Sequence, residues 1–297
     1  MLKRSIGERV FEVINIIAMI FLSIITIYPY LNQLALSFNE GLDSMRGGIT
    51  IFPRAFTLEN YAAVLGNDKV IRAATLTVLR VIVHGVLTLF VTYSAAYGLS
   101  RRGLPYRKWI TLFLMIPAYV TAGTIPFYIT LRSYGMINSY ALYIFLGLFT
   151  FYNMVIFRSF LQDIPYEIEE SARIDGANDF IIMFKIMMPM SLPVIATVAL
   201  WVMVGDWNDW TTSLMYVTDE SKYTLQYLMM RLIKEADMAN EIAMQNSSVI
   251  GASEGPQMTS ESVKAATLIC TTIPIIMVYP FLQKYFIKGV TLGGVKG

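Results

Sequence analysis

The sequence predicts an all-α integral membrane protein with about six transmembrane helices and one ordered helical stretch held outside the membrane. Three observations carry that prediction. Hydrophobic residues make up 56% of the 297, and charged residues only 15%, against roughly 45–50% and about 25% in soluble domains. The apolar residues come in blocks long enough to cross a hydrocarbon core of about 30 Å, which takes roughly 20 of them. The short polar links between alternate blocks are basic.

The blocks lie near 11–36, 70–99, 109–131, 137–161, 190–217 and 265–287. Each must be helical, because lipid offers its backbone no hydrogen-bond partner. The first follows Lys3, Arg4 and Arg9. It exceeds the roughly 7–15 apolar residues of a signal peptide, and no small-x-small cleavage site follows it. It therefore reads as an uncleaved first helix. Residues 1–69 form the N-terminal helix and first outer segment. Residues 70–287 form a core, with an ordered polar region at 162–190 and a long outer segment at 218–264. Residues 288–297 form a tail.

Orientation follows from Lys and Arg in short loops. With both termini in the cytoplasm, that side holds Lys3, Arg4 and Arg9, then Arg101, Arg102, Arg107 and Lys108. It also holds Arg158, Arg173 and Lys185, then Lys284, Lys288 and Lys296. The short outer loop near 132–136 holds Arg132 alone. A net charge of +2 is too small to argue for nucleic acid. Cys270 is the single cysteine, which excludes an internal disulfide, and His84 is the single histidine. No metal-ligand cluster and no cofactor site is expected, which argues against an intramembrane enzyme.

The polar stretch Asp163-Ile-Pro-Tyr-Glu-Ile-Glu-Glu-Ser-Ala-Arg-Ile-Asp-Gly176 carries the marks of a short helix. Pro165 suits the first helical position. Glu167, Glu169 and Glu170 favour the positive helix end, and Gly176 can end the helix in the left-handed region. Asn178 or Asp179 can cap a second helix, along which Phe180, Phe184 and Met187 recur at helical spacing. Pro189 and Pro193 then bend the chain back into the membrane. Such a helix can dock into a groove on a soluble protein; an amphipathic connector on the membrane surface is the other reading.

Glu170-Ser171-Ala172-x-x-Asp175-Gly176-Ala177, followed by Ile186-Met-Met-Pro189 and Pro193, resembles the permease signature of ABC importers. Ser171 replaces the family's first Ala, and Met188 replaces its usual Leu. The Asp-Gly-Ala form resembles the carbohydrate branch, the maltose-type permeases. Tyr28-Pro29 with Ser37, Ala96-Tyr97-x-x-Ser100-Arg101, Trp207-Asn208, and Tyr279-Pro280 through Lys284, Lys288 and Gly289 resemble other parts of the family. The resemblance implies that residues around Glu169, Glu170, Ser171, Ala172, Asp175, Gly176 and Ala177 form the coupling helix that docks on a cytoplasmic ATPase. Glu170 would pair with a basic residue there, Gly176 would permit the turn, and Ala172 and Ala177 would allow close approach. It further implies a homologous second permease, two ATPase subunits that bind ATP and Mg, and an extracytoplasmic sugar-binding protein. Segment 218–264 is the candidate contact for that binding protein. The chain itself has no Gly-x-x-x-x-Gly-Lys-Ser/Thr phosphate loop. The expected function is import of a carbohydrate, an oligosaccharide in particular, by alternating access. An ABC importer of a non-sugar solute and a non-transporting membrane receptor are the alternatives.

Ionisable residues inside spans cost about 2.5–3.5 kcal/mol on insertion scales and usually face a partner or a cavity. Arg80 and His84, at i and i+4, share a face. Arg80 lies roughly 15 Å from the outer end of its helix, and Asp206 roughly 20 Å beyond Pro193, at 1.5 Å per residue. Arg80 and Asp206 are expected to pair or to line one cavity. A structural ion pair or snorkelling is the plainer reading, and sugar contact the other. In Trp201-Val-Met-Val-Gly-Asp-Trp-Asn-Asp-Trp210, aromatic faces can stack on sugar rings, while Asn and Asp can bind hydroxyls. Trp201, Gly205 and Asn208 share one helical face; Met203, Asp206 and Trp210 share another. Arg80, His84, Trp201, Asp206, Trp207, Asn208 and Trp210 are the candidate substrate path. Trp210 also suits an interfacial aromatic belt, and a membrane anchor with packing is the bland alternative.

Overall fold

A computed structural model describes residues 6–247 and 260–293, which are helical with turns and one isolated bridge between Asn39 and Phe56. The helices are α1 (Ile6–Ser37), α2 (Gly41–Met45), α3 (Glu59–Leu65), α4 (Asp68–Ser100), α5 (Arg107–Tyr119), α6 (Thr124–Ser133), α7 (Tyr140–Phe145) and α8 (Phe151–Asp163). They continue with α9 (Tyr166–Ile174), α10 (Asp179–Ile181), a π-helical stretch (Ile182–Met187), α11 (Met188–Met190), α12 (Leu192–Asn208) and α13 (Thr211–Tyr216). A 3₁₀ turn (Glu220–Lys222), α14 (Leu225–Ser247) and α15 (Ser260–Gly293) complete them. The chain divides into two compact units: Met1–Val70 with Met229–Ile273, and Ile71–Leu228 with Pro274–Gly297.

In the first unit, α1 is apolar and exposed along most of its length. A helix apolar all round belongs in a core or in lipid, and this side chain layer has no protein over it. Beyond α1 the predicted outer segment folds around Asn39, which is fully buried. Its Oδ1 accepts from the Arg54 and Ala55 N–H groups at 2.8 and 2.9 Å. Its Nδ2 donates to Asp43 and Ser44, both at 3.0 Å. Asn60 Nδ2 donates to the Ser37 and Asn39 carbonyls at 3.0 and 2.9 Å. The amide of Asn39 and the Arg54 guanidinium hold the Asp43 carboxyl below its ordinary pKa against the desolvation that opposes them.

The second unit contains a core of Tyr93, Ala96, Tyr97 and Leu99 from α4, Met154, Phe157 and Leu161 from α8, and Val194 and Val198 from α12. Tyr93 and Phe157 meet edge to face at 5.4 Å, a geometry that aromatic quadrupoles favour.

Three predicted spans differ in continuity. Among the described residues, three helices are long and apolar enough to cross a membrane: Gly7–Ser37, Asp68–Ser100 and Glu261–Val278. The segment 109–131 is not straight: α5 and α6 meet at 112°, α5 ending shortly past Pro117 at extended Val120, and α6 beginning after Gly123 at φ 85°. The segment 137–161 is broken into α7 and α8, with Gly147 at φ 82° in the link. The segment 190–217 is interrupted too: α12 ends at Asn208, and α13 follows. The helical stretch before α12 meets it at 81°. The predicted tail 288–297 is helical through Gly293, where α15 ends. The predicted outer segment 218–264 is divided. Residues 225–247 are helical, while residues 248–259 fall outside the described residues.

Residues 218–224 are tied down within the second unit. Asn138 Oδ1 accepts from the Thr218 and Asp219 N–H groups at 3.3 and 3.0 Å. Lys222 Nζ donates to the Asn138 carbonyl at 2.9 Å. Asp219 caps the 3₁₀ turn through the Ser221 hydroxyl and N–H at 2.7 and 2.9 Å. Those bonds, with Lys222, hold its carboxyl down at about 2.

Candidate functional site

Two polar constellations stand out, both in the second unit. The first is built on α9. Its first turn carries Glu167 and Glu169, and its last turn Arg173, so charge matches the helix dipole at both ends. Pro165 sits one position earlier than expected, at the N-cap. The C-terminus closes as a Schellman motif. The Ala177 N–H reaches the Ala172 carbonyl at 2.9 Å, and the Gly176 N–H reaches that of Arg173 at 3.0 Å. Gly176 takes φ 83°, so any side chain there is strained. Asn178 then caps α10, accepting from the Ile181 N–H at 2.9 Å.

The face α9 turns inward is now explicit. Ala172 is buried, and Ala177 packs on the same core, so the close approach they allow is onto the chain's own helices. Glu169 is also internal: it pairs with Arg101, the residue after α4, and lies 3.4 Å from Arg173. Arg101 and Arg173 both reach Asp179, the latter at 2.6 Å. Arg101 lies over the Tyr97 ring at 4.6 Å, and Arg102 over Tyr166 at 4.8 Å. Glu170, Ser171, Asp175 and Gly176 are exposed, as is Ile174, at 81%.

The link from α9 to α12 departs from the expected periodicity. Residues 182–187 are π-helical, and the Met188 N–H reaches back five residues to Met183. Pro189 has no N–H to give the carbonyl four residues before it. The wider turn places Ile182 and Met187 in the core and leaves Phe180 exposed, so Phe180, Phe184 and Met187 do not form one inward stripe. The bend falls at buried Ser191, whose Oγ donates to the Met187 carbonyl at 2.7 Å and accepts from Tyr93 at 3.2 Å.

The second constellation joins α4 to the end of α12. Arg80 Nη2 lies 2.6 Å from Asp209 Oδ2 and 3.8 Å from Asp206 Oδ1. His84 Nδ1 is 2.7 Å from Asp206 Oδ2, and its Nε2 is 3.2 Å from Thr88 Oγ1. The Arg80 guanidinium also lies over the Tyr143 ring at 4.9 Å. Gly85 permits the helices to come this close: a Cβ there would stand 3.2 Å from two atoms of Met203. Arg80, His84 and Asp206 are all buried, so snorkelling is excluded and the predicted Arg80–Asp206 pairing is present as the longer of two contacts.

Asp209 is the residue that sequence reasoning missed. It takes the shorter contact to Arg80, and its Oδ1 accepts from the Thr211 hydroxyl and Thr212 N–H at 2.9 and 3.1 Å. A cavity of about 390 Å³ opens beside the cluster, lined by Trp201, Gly205, Asp206, Asp209, His84 and Asn153 among others. Trp201 and Asp206, read as separate faces, border one space. Trp207, Asn208 and Trp210 do not line it. Trp207 is buried. Asn208 donates to the Val204 carbonyl at 2.9 Å and accepts from Gln226 at 3.3 Å. Trp210 is partly exposed. Among the described residues no group of His, Cys, Asp and Glu could hold a metal ion.

Known proteins resemble this chain over nearly its whole length. Residues 89–292 match the family described as "Binding-protein-dependent transport system inner membrane component". Protein LplC of Bacillus subtilis (strain 168) is 33% identical over 289 residues, covering 97% of this chain and 96% of LplC. The polygalacturonan/rhamnogalacturonan transport system permease protein YtcP of the same organism is 31% identical over 291 residues, covering 98% and 99%. A crystal structure of a bacterial ABC transporter involved in the import of the acidic polysaccharide alginate contains a chain that matches with a TM-score of 0.85 and 25% identity, covering 96% of this chain and 100% of that one. With the signature at Glu170–Pro193 and a family match over most of its length, this chain belongs to the binding-protein-dependent transport system inner membrane components.

Proposed function

We propose that this multi-pass membrane protein is one of two permease subunits of an ATP-driven importer of an oligosaccharide, and that α9 is its coupling helix. The observation that carries the reading is α9 itself. It is pinned from behind by Arg101, Glu169, Arg173 and Asp179. In front it shows Glu170, Ile174 and the Gly176 turn to solvent. A helix tied to the end of α4 and to α10 can transmit displacement to the core behind them. A partner ATPase that binds ATP and Mg, and not this chain, would supply the force. Both termini and residues 100–108 would face the cytoplasm. A second, homologous permease would complete the path, and an extracytoplasmic binding protein would deliver the sugar. That the substrate is an oligosaccharide rests on relatives such as YtcP and on the alginate importer, whose substrates are polysaccharides or pieces of them.

Pull-down from detergent tests the coupling surface. The parent chain recovers an ATPase subunit, and a Glu170→Arg, Gly176→Pro double variant does not. No ATPase with either folded form overturns the reading. Uptake of labelled oligogalacturonides and maltodextrins by cells carrying the intact system tests the substrate; uptake of neither, with an amino acid or inorganic anion taken up instead, overturns the sugar assignment.

A further inference from the structure

The basic loop 100–108 divides unevenly once its charges are followed to their partners. Arg101 is ion-paired with Glu169 and Asp179, and Arg102 lies on the Tyr166 ring. Among the described residues, Arg107 and Lys108, at the start of α5, pair with no carboxylate. Neither does Arg158 of α8, which packs against α5. These three cations line one cavity of about 450 Å³, whose remaining wall is Thr111, Leu112 and Met115.

The cavity holds three positive charges and no acid. Arg107 and Arg158 bring like charges to the same cavity wall. Arg158 Nη1 reaches only the Thr111 hydroxyl, at 3.4 Å, and its Nε is buried without a partner. A buried donor left unmade costs free energy, and a charged one more. Loop orientation accounts for Arg107 and Lys108. It does not account for a third cation from another helix turned into the same space.

The surroundings indicate what the missing anion belongs to. Tyr106 and Trp109 beside the cavity are 78% and 66% exposed, and such aromatics mark headgroup depth. Leu112 and Met115 follow one and two turns further along α5, on the apolar side. A site cationic at headgroup depth and apolar below fits an amphiphile with an anionic head. Basic pockets between membrane helices bind such headgroups.

We propose that Arg107, Lys108 and Arg158 form a binding site for the phosphodiester headgroup of an anionic phospholipid, with its acyl chain along Leu112 and Met115. The proposal rests on the membrane reading above and on residues 100–108 facing the cytoplasmic leaflet. It concerns a surface apart from the α9 tip and from the Arg80 cluster.

The test uses the complete importer, purified with its partner subunits and stripped of lipid in detergent. It is titrated with dihexanoyl-phosphatidylglycerol, dihexanoyl-phosphatidylcholine or inorganic phosphate, and bound molecules are read by native mass spectrometry. Phosphatidylglycerol is retained at least about tenfold better than phosphatidylcholine, and raised salt weakens it. Arg107→Gln with Arg158→Gln lowers that retention on the order of 25-fold, at roughly fivefold per cation, and leaves phosphatidylcholine unchanged. Should that pair fail to assemble, the exposed Lys108→Gln gives a loss of roughly fivefold. Equal retention of the two lipids overturns the site. So does phosphate binding as well as phosphatidylglycerol, or a full preference surviving the substitutions. The readout needs neither ATP nor sugar, so its failure leaves the permease reading standing, and a failed ATPase pull-down leaves the lipid result readable.

Discussion

Replacing Asp209 by Asn is the sharpest probe of the Arg80 cluster, because it removes a charge and little else. The side chain of Arg80 is 6% exposed, and that of Asp209 17%. Removing one partner of a buried pair typically costs about 3–5 kcal/mol. Two features lower that figure here. Asp206 still faces the guanidinium at 3.8 Å, and the Asn oxygen can keep the Thr211 and Thr212 contacts that open α13. Asp209→Asn is therefore expected to cost about 2–3 kcal/mol. Asp209→Ala, which also loses that capping oxygen, should cost about 1 kcal/mol more.

Arg80→Met alone leaves two carboxylates facing one histidine and should cost about 3–5 kcal/mol. Arg80→Met combined with Asp209→Asn removes the cation together with its nearer carboxylate, and should cost less than Arg80→Met alone. The assay is unfolding in detergent micelles for the parent, the two single variants and the double, closing a double-mutant cycle. At about 2–4 °C per kcal/mol for a chain near this size, Asp209→Asn should lower the midpoint by roughly 5–10 °C. A shift under about 1 °C, or costs that simply add in the double variant, would refute the idea that charge compensation holds α4 to the end of α12.

Further outcomes follow from other sites. Gly176→Ala forces a side chain into φ 83°, at about 1–2 kcal/mol; ATPase stimulation in the assembled importer should fall more than stability does. Asn39→Ala removes the acceptor of two part-buried backbone N–H groups, of Arg54 and Ala55, at about 1–3 kcal/mol in all, and limited proteolysis should then cut between residues 40 and 58. The Asp219 carboxyl is depressed to about 2, so its contribution is complete above its ordinary pKa near 3.8 and is lost as pH falls from there through 2. Asp219→Asn should remove that acid dependence from protease sensitivity at residues 218–224, and an unchanged profile would count against the cap.

Local chemistry was legible where it is written in adjacent residues. The α9 helix, its Gly176 stop and the Asn178 cap each depend on a few neighbouring side chains, and each is present. Span continuity was not legible, because a hydropathy window averages over a break. Leu146, Leu148 and Phe149 keep the score high across Gly147, while the backbone there has left the helix. The π-helical stretch escaped for a related reason. A period of 3.6 was imposed on residues 180–187, and the chain there bonds five residues back.

Asp209 was missed through the same assumption of continuity. On an unbroken helix from 190 to 217 it belongs with the interfacial Trp210. The helix ends at Asn208, and Asp209 adopts φ −75° and ψ 106°, from which its carboxylate meets Arg80. A count of charge would have found it: a buried arginine on one span calls for an acid on another, because a cation cannot stay uncompensated in a low-dielectric interior. Asp206 and Asp209, three apart, are the only acids in the block 190–217. Applied to the opposite case, the same count singles out Arg107, Lys108 and Arg158, which line one cavity and meet no carboxylate among the described residues. Compensation supplied from within fixes α4 against α12; where the chain supplies none, the physical expectation is an anion drawn from the surrounding membrane.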